Sequence, residues 1–317
     1  MTRKPSTKRN IWLLGPQYHT PFLRDLFPSF GVPDGPIAAV TAGWQEREGE
    51  DTELNKHLSG RAIDLELYRR ADRVFRNDPE LTQAHREMQR RLRELTRIYD
   101  TRLSFMRQSL LWLLQEPGEP GLLEPEREHA LAQLRELDSW QLERITGVRS
   151  AFEDRYRPLA RESVAREREE IARVLGGASA LVITGGHVAV LLNRLKLFAI
   201  KDMIEVKTVI AWSAGAMALT ERVVLFHDHP PEGEGNAGVM DRGLGLCPRL
   251  VALPDGKKRL DLEDRFRVSV LARRFQPDSC VVLGEGDCIL FDGETWHPRI
   301  GALFLGADGG LEPLHPW

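Results

Sequence analysis

The feature that most constrains the fold is the segment 208–219, in which an apolar run stops at Ser213 and continues as a helix-forming sequence. Four neighbours of this serine are small: Ala211, Ala214, Gly215 and Ala216. A strand that turns sharply into a helix needs small residues at the turn, because larger side chains would collide there. The segment therefore predicts a strand, a tight turn at Ser213 with strained backbone angles, and a helix.

A serine on such a turn has two interpretations. It can be a nucleophile, since the turn directs the backbone N–H of Ala214 toward an oxyanion at the positive end of the helix dipole. It can equally be the N-cap of an ordinary helix that follows a buried strand. The rest of the chain has to distinguish these two.

Three zones differ in their pattern of apolar residues. Residues 10–48 and the region from about 174 onward contain short apolar runs bounded by Gly and Pro, which is typical of buried strands. These runs are 11–16, 36–43, 180–186, 208–212, 280–283, 288–291 and 302–305. One helix is predicted at about 20–30, between the runs 11–16 and 36–43. A second is predicted at 188–199, between the runs 180–186 and 208–212.

The middle zone, residues 49–173, is rich in Arg, Glu and Leu. Apolar residues recur at steps of three or four from Leu81 to Leu113, which places them on one face of a long helix. Pro and Gly residues at 117–121 interrupt this pattern, and a second helical run extends from Glu124 toward Leu175 with interruptions near Gly147 and Pro158. We expect a helical hairpin or small bundle whose apolar stripe is covered by other helices or by a second subunit.

Alternating strands and helices on either side of this zone predict an α/β fold with a mostly parallel sheet flanked by helices. The α/β domain would comprise residues 10–48 and 174–317, with residues 49–173 as a large all-helical insertion. Ligands of such sheets bind beyond the carboxyl ends of the strands. Gly185, Gly186 and Ser213 each follow a predicted strand, so we expect them on one rim of the sheet.

Composition limits the partners of this chain. A net charge of −3, with acidic and basic residues interspersed, argues against electrostatic binding to nucleic acid or to a membrane surface. The apolar run 11–14 is too short for a signal peptide or a membrane span, so a cytoplasmic location is expected. Cys247, Cys280 and Cys288 lack metal-binding spacing and are interpreted as buried hydrophobic residues. No cofactor is expected, since no phosphate-binding motif follows the glycine pair.

With Thr184-Gly185-Gly186 ahead of Ala211-Trp212-Ser213-Ala214-Gly215-Ala216, the chain resembles the dipeptidase E and cyanophycinase family of serine peptidases. Members of this family have the class I glutamine amidotransferase-like fold. The segments 242–246 and 281–290 also resemble family segments, and the resemblance covers residues 10–48 and 176–317. It implies that Ser213 is the nucleophile and that Gly185, Gly186 and Ala214 form the oxyanion hole. It further implies that Asp228 is the acidic residue of the site and that the substrate is a small peptide or isopeptide.

The chain departs from the family at Asp255, which stands where the general-base histidine is expected. A serine hydroxyl needs a neighbouring base that is effective near neutral pH, and a carboxylate is weaker than an imidazole. His187, directly after the glycine pair, is the best substitute. His227 and His229 flank Asp228, and in an extended segment the two histidine side chains would point to the same side. Two histidine ligands without a third ligand are weak evidence for a metal site, so no metal site is expected.

Two functions remain open. In the first, the protein is a serine hydrolase whose site contains Ser213, His187, Asp228 and Asp255. In the second, it is a catalytically inactive family member that acts as a binding or scaffold protein. The helical insertion would then contact a protein partner or a second copy of the chain.

Overall fold

The structure, a computed structural model, describes residues 9–17, 22–227 and 235–313. Its strands are β1 (Asn10–Leu14), β2 (Ile37–Val40), β3 (Ala62–Asp64), β4 (Ala180–Ile183), β5 (Thr208–Trp212), β6 (Arg222–His227), β7 (Gly235–Arg242), β8 (Leu250–Pro254), β9 (Ser279–Leu283), β10 (Cys288–Phe291), β11 (Trp296–Ile300), β12 (Leu303–Leu305) and β13 (Leu311–Pro313). Its helices are α1 (Leu23–Leu26), α2 (Thr52–His57), α3 (Leu67–Asn77), α4 (Pro79–Gln115), α5 (Pro120–Tyr156), α6 (Glu162–Gly176), α7 (Val188–Leu197), α8 (Ala214–Leu219), α9 (Gly256–Arg259) and α10 (Arg265–Phe275). Short 3₁₀ helices occupy Phe27–Phe30, Ala42–Arg47, Pro158–Ala160 and Ile200–Met203.

The central sheet has seven strands in the order β11, β10, β1, β5, β4, β2, β3. The five strands from β1 to β3 in this order are parallel, whereas β10 and β11 are antiparallel additions at one edge. Alternate residues of β1 enter two separate cores, Leu13 on one face and Trp12 and Leu14 on the other. Burial on both faces explains the continuous apolar runs, and the expected α/β class with a mostly parallel sheet is confirmed.

Two further groups of strands lie outside the central sheet. A four-stranded sheet has the order β13, β12, β9, β8, in which β8 and β9 are parallel, and β6 pairs with β7. Gly15, just after β1, extends the pairing with β10, since its N–H donates to the carbonyl of Asp287 at 3.0 Å, and it also packs on the end of β9 in the second sheet. A Cβ on Gly15 would overlap the carbonyl of Gly284, so only glycine permits this approach.

Helices α4 and α5 form a long hairpin of two 37-residue helices. The apolar stripe predicted along α4 is largely buried, at Leu81, Met88, Leu92, Tyr99, Leu103 and Leu110. Helix α5 runs through Gly147, where an interruption was expected, because one glycine costs a helix only about 1 kcal/mol. No helix within the described residues has an apolar stretch long enough to cross a bilayer.

One strand departs from the all-helical expectation for residues 49–173. The three residues of β3 pair in parallel with β2 and form an edge of the central sheet. A segment of this length is too short to show an alternating pattern in the sequence. Residues 49–173 therefore contribute one strand to the central sheet between α2 and α3 and are helical from α3 onward.

A buried polar network fixes the hairpin to the rest of the molecule. Arg274 of α10 donates to the carboxylate of Asp138 on α5 through Nε at 2.7 Å and Nη2 at 2.6 Å. The Tyr99 hydroxyl on α4 donates to Asp138 at 2.7 Å and accepts from the backbone N–H of Val239 at 2.9 Å. Because the ion pair is bidentate and its other polar atoms are hydrogen-bonded, the network gives the three helices a defined relative position.

Candidate active site

Ser213 lies between β5 and α8 with a φ of 51° and a ψ of −121°. A non-glycine residue in such a region carries strain of roughly 1–3 kcal/mol. Its N–H donates to the carbonyl of Leu14 at 3.2 Å, and its side chain is partly exposed. A Cβ on Gly215 would overlap the carbonyl of Ile183, which explains the need for a glycine there. The predicted tight turn with strained backbone angles is confirmed.

The glycine pair after β4 lies against this turn. A Cβ on Gly185 would lie 2.9 Å from the Ser213 Cβ and 3.2 Å from its Oγ, so the missing side chain leaves space beside the hydroxyl. Gly186 has a φ of 109° and packs directly on the backbone of Gly43. Within the described ranges, the N–H groups of Gly186 and Ala214 have no acceptor. These groups and the serine share one rim, as expected.

His187 caps the N-terminus of α7. Its backbone N–H donates to the carbonyl of Gly43 at 2.7 Å, and its Nδ1 accepts from the N–H of Val190 at 3.4 Å. A neutral imidazole that accepts at Nδ1 carries its proton on Nε2, so in this arrangement Nε2 is a donor. No described histidine is hydrogen-bonded to Ser213 Oγ. For Nε2 to act as a base, the exposed ring of His187 would have to change tautomer.

Asp255 directly follows β8 and has a φ of 61°. Its N–H donates to the carbonyl of Leu283 at 2.8 Å, and the same carbonyl packs against Gly15. Gly15 directly follows Leu14, whose carbonyl accepts from the N–H of Ser213. The end of β8 therefore belongs to the same rim as the serine, although β8 lies in the second sheet. The Asp255 carboxylate is 3.8 Å from the Lys258 Nζ.

Two candidates from the sequence fall outside the described residues. Asp228, expected as the acidic residue of the site, is one, and His229 is the other. His227 ends β6, and only its backbone is described. In the described residues, no three His, Cys, Asp or Glu side chains are grouped so that they could hold a metal ion. The three cysteines are buried free thiols, as predicted.

A pocket of about 490 Å³ opens at the rim beside Trp212, Gly186 and His187. The facing wall is built by the segment after β2 and includes Trp44, Gln45, Arg47, Glu50, Glu53 and His57. Gln45 has a φ of 60° and a ψ of −123°, and is a second strained residue in this site. The sequence pattern did not predict this wall, because its residues lie on both sides of the boundary between residues 48 and 49.

His57 is a second imidazole in this pocket. Its Nε2 lies 3.9 Å from the Glu53 carboxylate, one helical turn earlier on α2. Its buried Nδ1 has no hydrogen-bond partner in the described part of the chain. The spacing of four residues between an acid and a histidine is a sequence signal that could have indicated this pair.

Buried carboxyl groups hold the segment that carries this wall. Glu48 is fully buried and accepts from the N–H groups of Tyr68 and Arg69 at 2.9 and 2.7 Å, at the start of α3. Burial raises the pKa of Glu48 to about 7. The Thr41 hydroxyl donates to Asp64 at 2.5 Å, and burial likewise raises the pKa of Asp64. The wall is thus attached to β2, β3 and α3.

Comparisons with known proteins add one similarity. No protein-family model matches the chain, and no match to a curated protein was found. Among solved structures, the chain is similar to the crystal structure of a peptidase from an acI-B1 Actinobacterium, with 13% sequence identity and a TM-score of 0.42. The similarity covers 95% of this chain and 91% of that chain.

Proposed function

We propose that this protein is a serine hydrolase that cleaves a small peptide or isopeptide, with Ser213 as its nucleophile. The observation that carries the proposal is the strained backbone of Ser213 at the end of a central parallel strand. Such strain persists only where the surrounding structure enforces it, and it clusters at active sites. The adjoining pocket, with two tryptophans and several charged groups, has room for a small substrate.

In the proposed reaction, Ser213 Oγ attacks the carbonyl carbon of the scissile amide and the carbonyl oxygen becomes an oxyanion. The N–H groups of Gly186 and Ala214 donate to this oxyanion. The serine proton passes to a base, which returns it to the leaving amine as the C–N bond breaks. Water then hydrolyses the acyl-serine ester and restores the hydroxyl.

We assign the role of base to His187, because it follows the glycine turn that lies against Ser213. Its contact with the Val190 N–H is long for a hydrogen bond, so the ring loses little by releasing it. With the proton on Nδ1, Nε2 presents the lone pair that the reaction requires. His57 is the alternative imidazole, on the opposite wall of the pocket.

A fluorophosphonate probe tests the nucleophile, because it forms a covalent bond with an activated serine. We expect the unmodified protein to be labelled and Ser213→Ala to lose all labelling. Ser104→Ala, an exposed position on α4, is the matched control and should be labelled as the unmodified protein is. Labelling that persists in Ser213→Ala would contradict the proposal.

The same probe tests the base. Removing a general base lowers the rate by about 10²-fold or more, so His187→Ala should slow labelling by that amount. His57→Ala should label at the unmodified rate. The opposite result would move the role of base to His57.

One observation favours the second function, a catalytically inactive protein that binds through its helical insertion. Ile98, Phe105 and Trp112 recur every seven residues along α4 and are 47%, 69% and 59% exposed. Apolar residues at this spacing on a long helix are typical of helix–helix contacts. A protein that is not labelled, and whose self-association or partner binding is lost in Phe105→Gln/Trp112→Gln, would have this function.

A further inference from the structure

A second cavity, of about 480 Å³, lies between the helical hairpin and α7. Apolar side chains from three elements form its walls, among them Met88 of α4, Phe152 of α5 and Leu197 of α7. His187, at the N-terminal end of α7, lines the first pocket, whereas residues from the C-terminal half of α7 line this one. Neither Ser213 nor the glycine pair is among the lining residues of this cavity.

Two cations at one end of the cavity share a single carboxylate. The Lys196 Nζ lies 2.9 Å from Oδ1 of the buried Asp241, and the Arg149 Nη2 pairs with Oδ2 of the same residue. Arg149 also donates to the Asn193 side chain at 3.1 Å. Its Nε is buried and has no hydrogen-bond partner within the described residues. Counted against Asp241, the two cations leave one positive charge in excess at this end of the cavity.

The side chains of both cations are largely buried, with 14% of Arg149 and 20% of Lys196 exposed. Burial lowers the pKa of His85, which also lines the cavity, to about 4, and the charges of Arg194 and Arg149 act in the same direction. Burial lowers the pKa of Lys196 to about 8 even though Asp241 opposes the shift. The acidic residues that line the cavity, Glu153 and Asp202, are exposed, so solvent screens their charges.

We propose that this cavity binds a small amphipathic anion, with a carboxylate or phosphate head on Arg149 and Lys196. An anionic head would compensate the excess positive charge of these two side chains. The apolar body of the ligand would lie against Met88, Phe152 and Leu197, and the volume is in the range of small-molecule sites. This binding site is independent of the proposed chemistry at Ser213.

Calorimetric titration with four probes that share a straight chain of eight carbons tests the proposal. Octanoate and octyl phosphate carry the two possible heads, while 1-octanol and octyltrimethylammonium are the neutral and cationic controls. We expect at least one anion to bind ten times more tightly than octanol, and the cation not to bind. The tighter of the two anions identifies the head group. Equal binding of octanol, or preferential binding of the cation, would overturn the proposal.

Two variants locate the binding. Arg149→Gln removes one of the two positive charges and should weaken binding of the anion at least tenfold. Ala160→Trp narrows the cavity from its 3₁₀ helix without removing a charge, and should also weaken binding at least tenfold. Ala151→Trp, an exposed position on α5 outside the cavity, is the matched control and should bind normally. Thermal unfolding without ligand establishes that each variant folds, and unchanged binding in a folded Ala160→Trp would overturn the proposal.

Discussion

Gly186 and Gly43 pack backbone against backbone beside Ser213, and a Cβ on Gly186 would overlap the Gly43 carbonyl. We expect Gly186→Ala to lower the free energy of unfolding by roughly 3 kcal/mol, from its positive φ and from this overlap together. Gly286→Ala is the matched control, since Gly286 also has a positive φ, of 86°, but no atom near its would-be Cβ. It should lose about 1 kcal/mol. Urea unfolding measures both, and equal losses would contradict a role for the close contact.

Asp255 allows a test of whether the site lacks a base. If His187 is the base, Asp255→His should leave the rate of fluorophosphonate labelling within about twofold, because the reaction already has its imidazole. Histidine tolerates the left-handed backbone at this position nearly as well as aspartate does. Asp255→Asn is the control, because it removes the charge without supplying a base. A rise of tenfold or more in the histidine variant alone would show that the unmodified site has no working base.

His85 should make stability depend on pH. Its ring lies 4.8 Å from Phe75 and 6.1 Å from Phe152, and burial lowers its pKa from 6.5 to about 4. Between these values the unfolded chain binds a proton that the folded protein does not, so stability falls as pH falls, by up to about 3 kcal/mol. We expect His85→Phe to lose less stability than the unmodified protein between pH 6.5 and 4. Glu48 has the opposite pH dependence and is common to both proteins, so the difference isolates His85.

At the scale of elements, the network of Tyr99, Asp138 and Arg274 makes the hairpin part of the folded body. Asp138→Ala would leave the buried Arg274 without its carboxylate, which typically costs about 3–5 kcal/mol. Asp154→Ala, at an exposed position of the same helix, should change stability by less than about 0.5 kcal/mol. Denaturant unfolding measures both variants. A small loss in Asp138→Ala would mean that the hairpin is held by its apolar contacts alone.

The elements that the sequence predicts well are those whose signal is local. Strands β1, β2, β4 and β5 are buried on both faces and appear as continuous apolar runs, and the stripe of α4 has an unmistakable helical period. Strand β3 is recognisable only by its pairing with β2, and the placement of β8 in a second sheet depends on its partner β9. Pairing is a property of segments far apart in the chain, so no single segment encodes it.

At the scale of the whole molecule, one part of the candidate site has a local signal in the sequence, whereas another depends on contacts between distant segments. The turn at Ser213 is predictable because only small neighbours fit at such a turn, and these neighbours are adjacent to the serine in the sequence. The wall formed by Gln45, Glu53 and His57 depends on the hydrogen bonds by which Glu48 attaches the segment after β2 to the start of α3. The cavity lined by Arg149 and Lys196 depends on how α5 packs against α7. The sequence signals the first arrangement only through the spacing of Glu53 and His57, and it has no pattern for the second.

The position of β1 in the sheet has a consequence for the order in which the chain folds. Asn10 pairs with Thr208, and Ile11 pairs with Phe291, so this early segment needs partners that are about 200 and 280 residues further along the chain. Helices α4 and α5 pair with each other through a short connection and need no distant segment. In pulsed hydrogen exchange during refolding, we expect amides of α4 and α5 to become protected before those of β1; simultaneous protection would contradict this order. During synthesis, β1 would have no neighbouring strand until β5 has left the ribosome and would lack its second neighbour until residue 291 has done so. Its apolar residues could take part in aggregation during that interval.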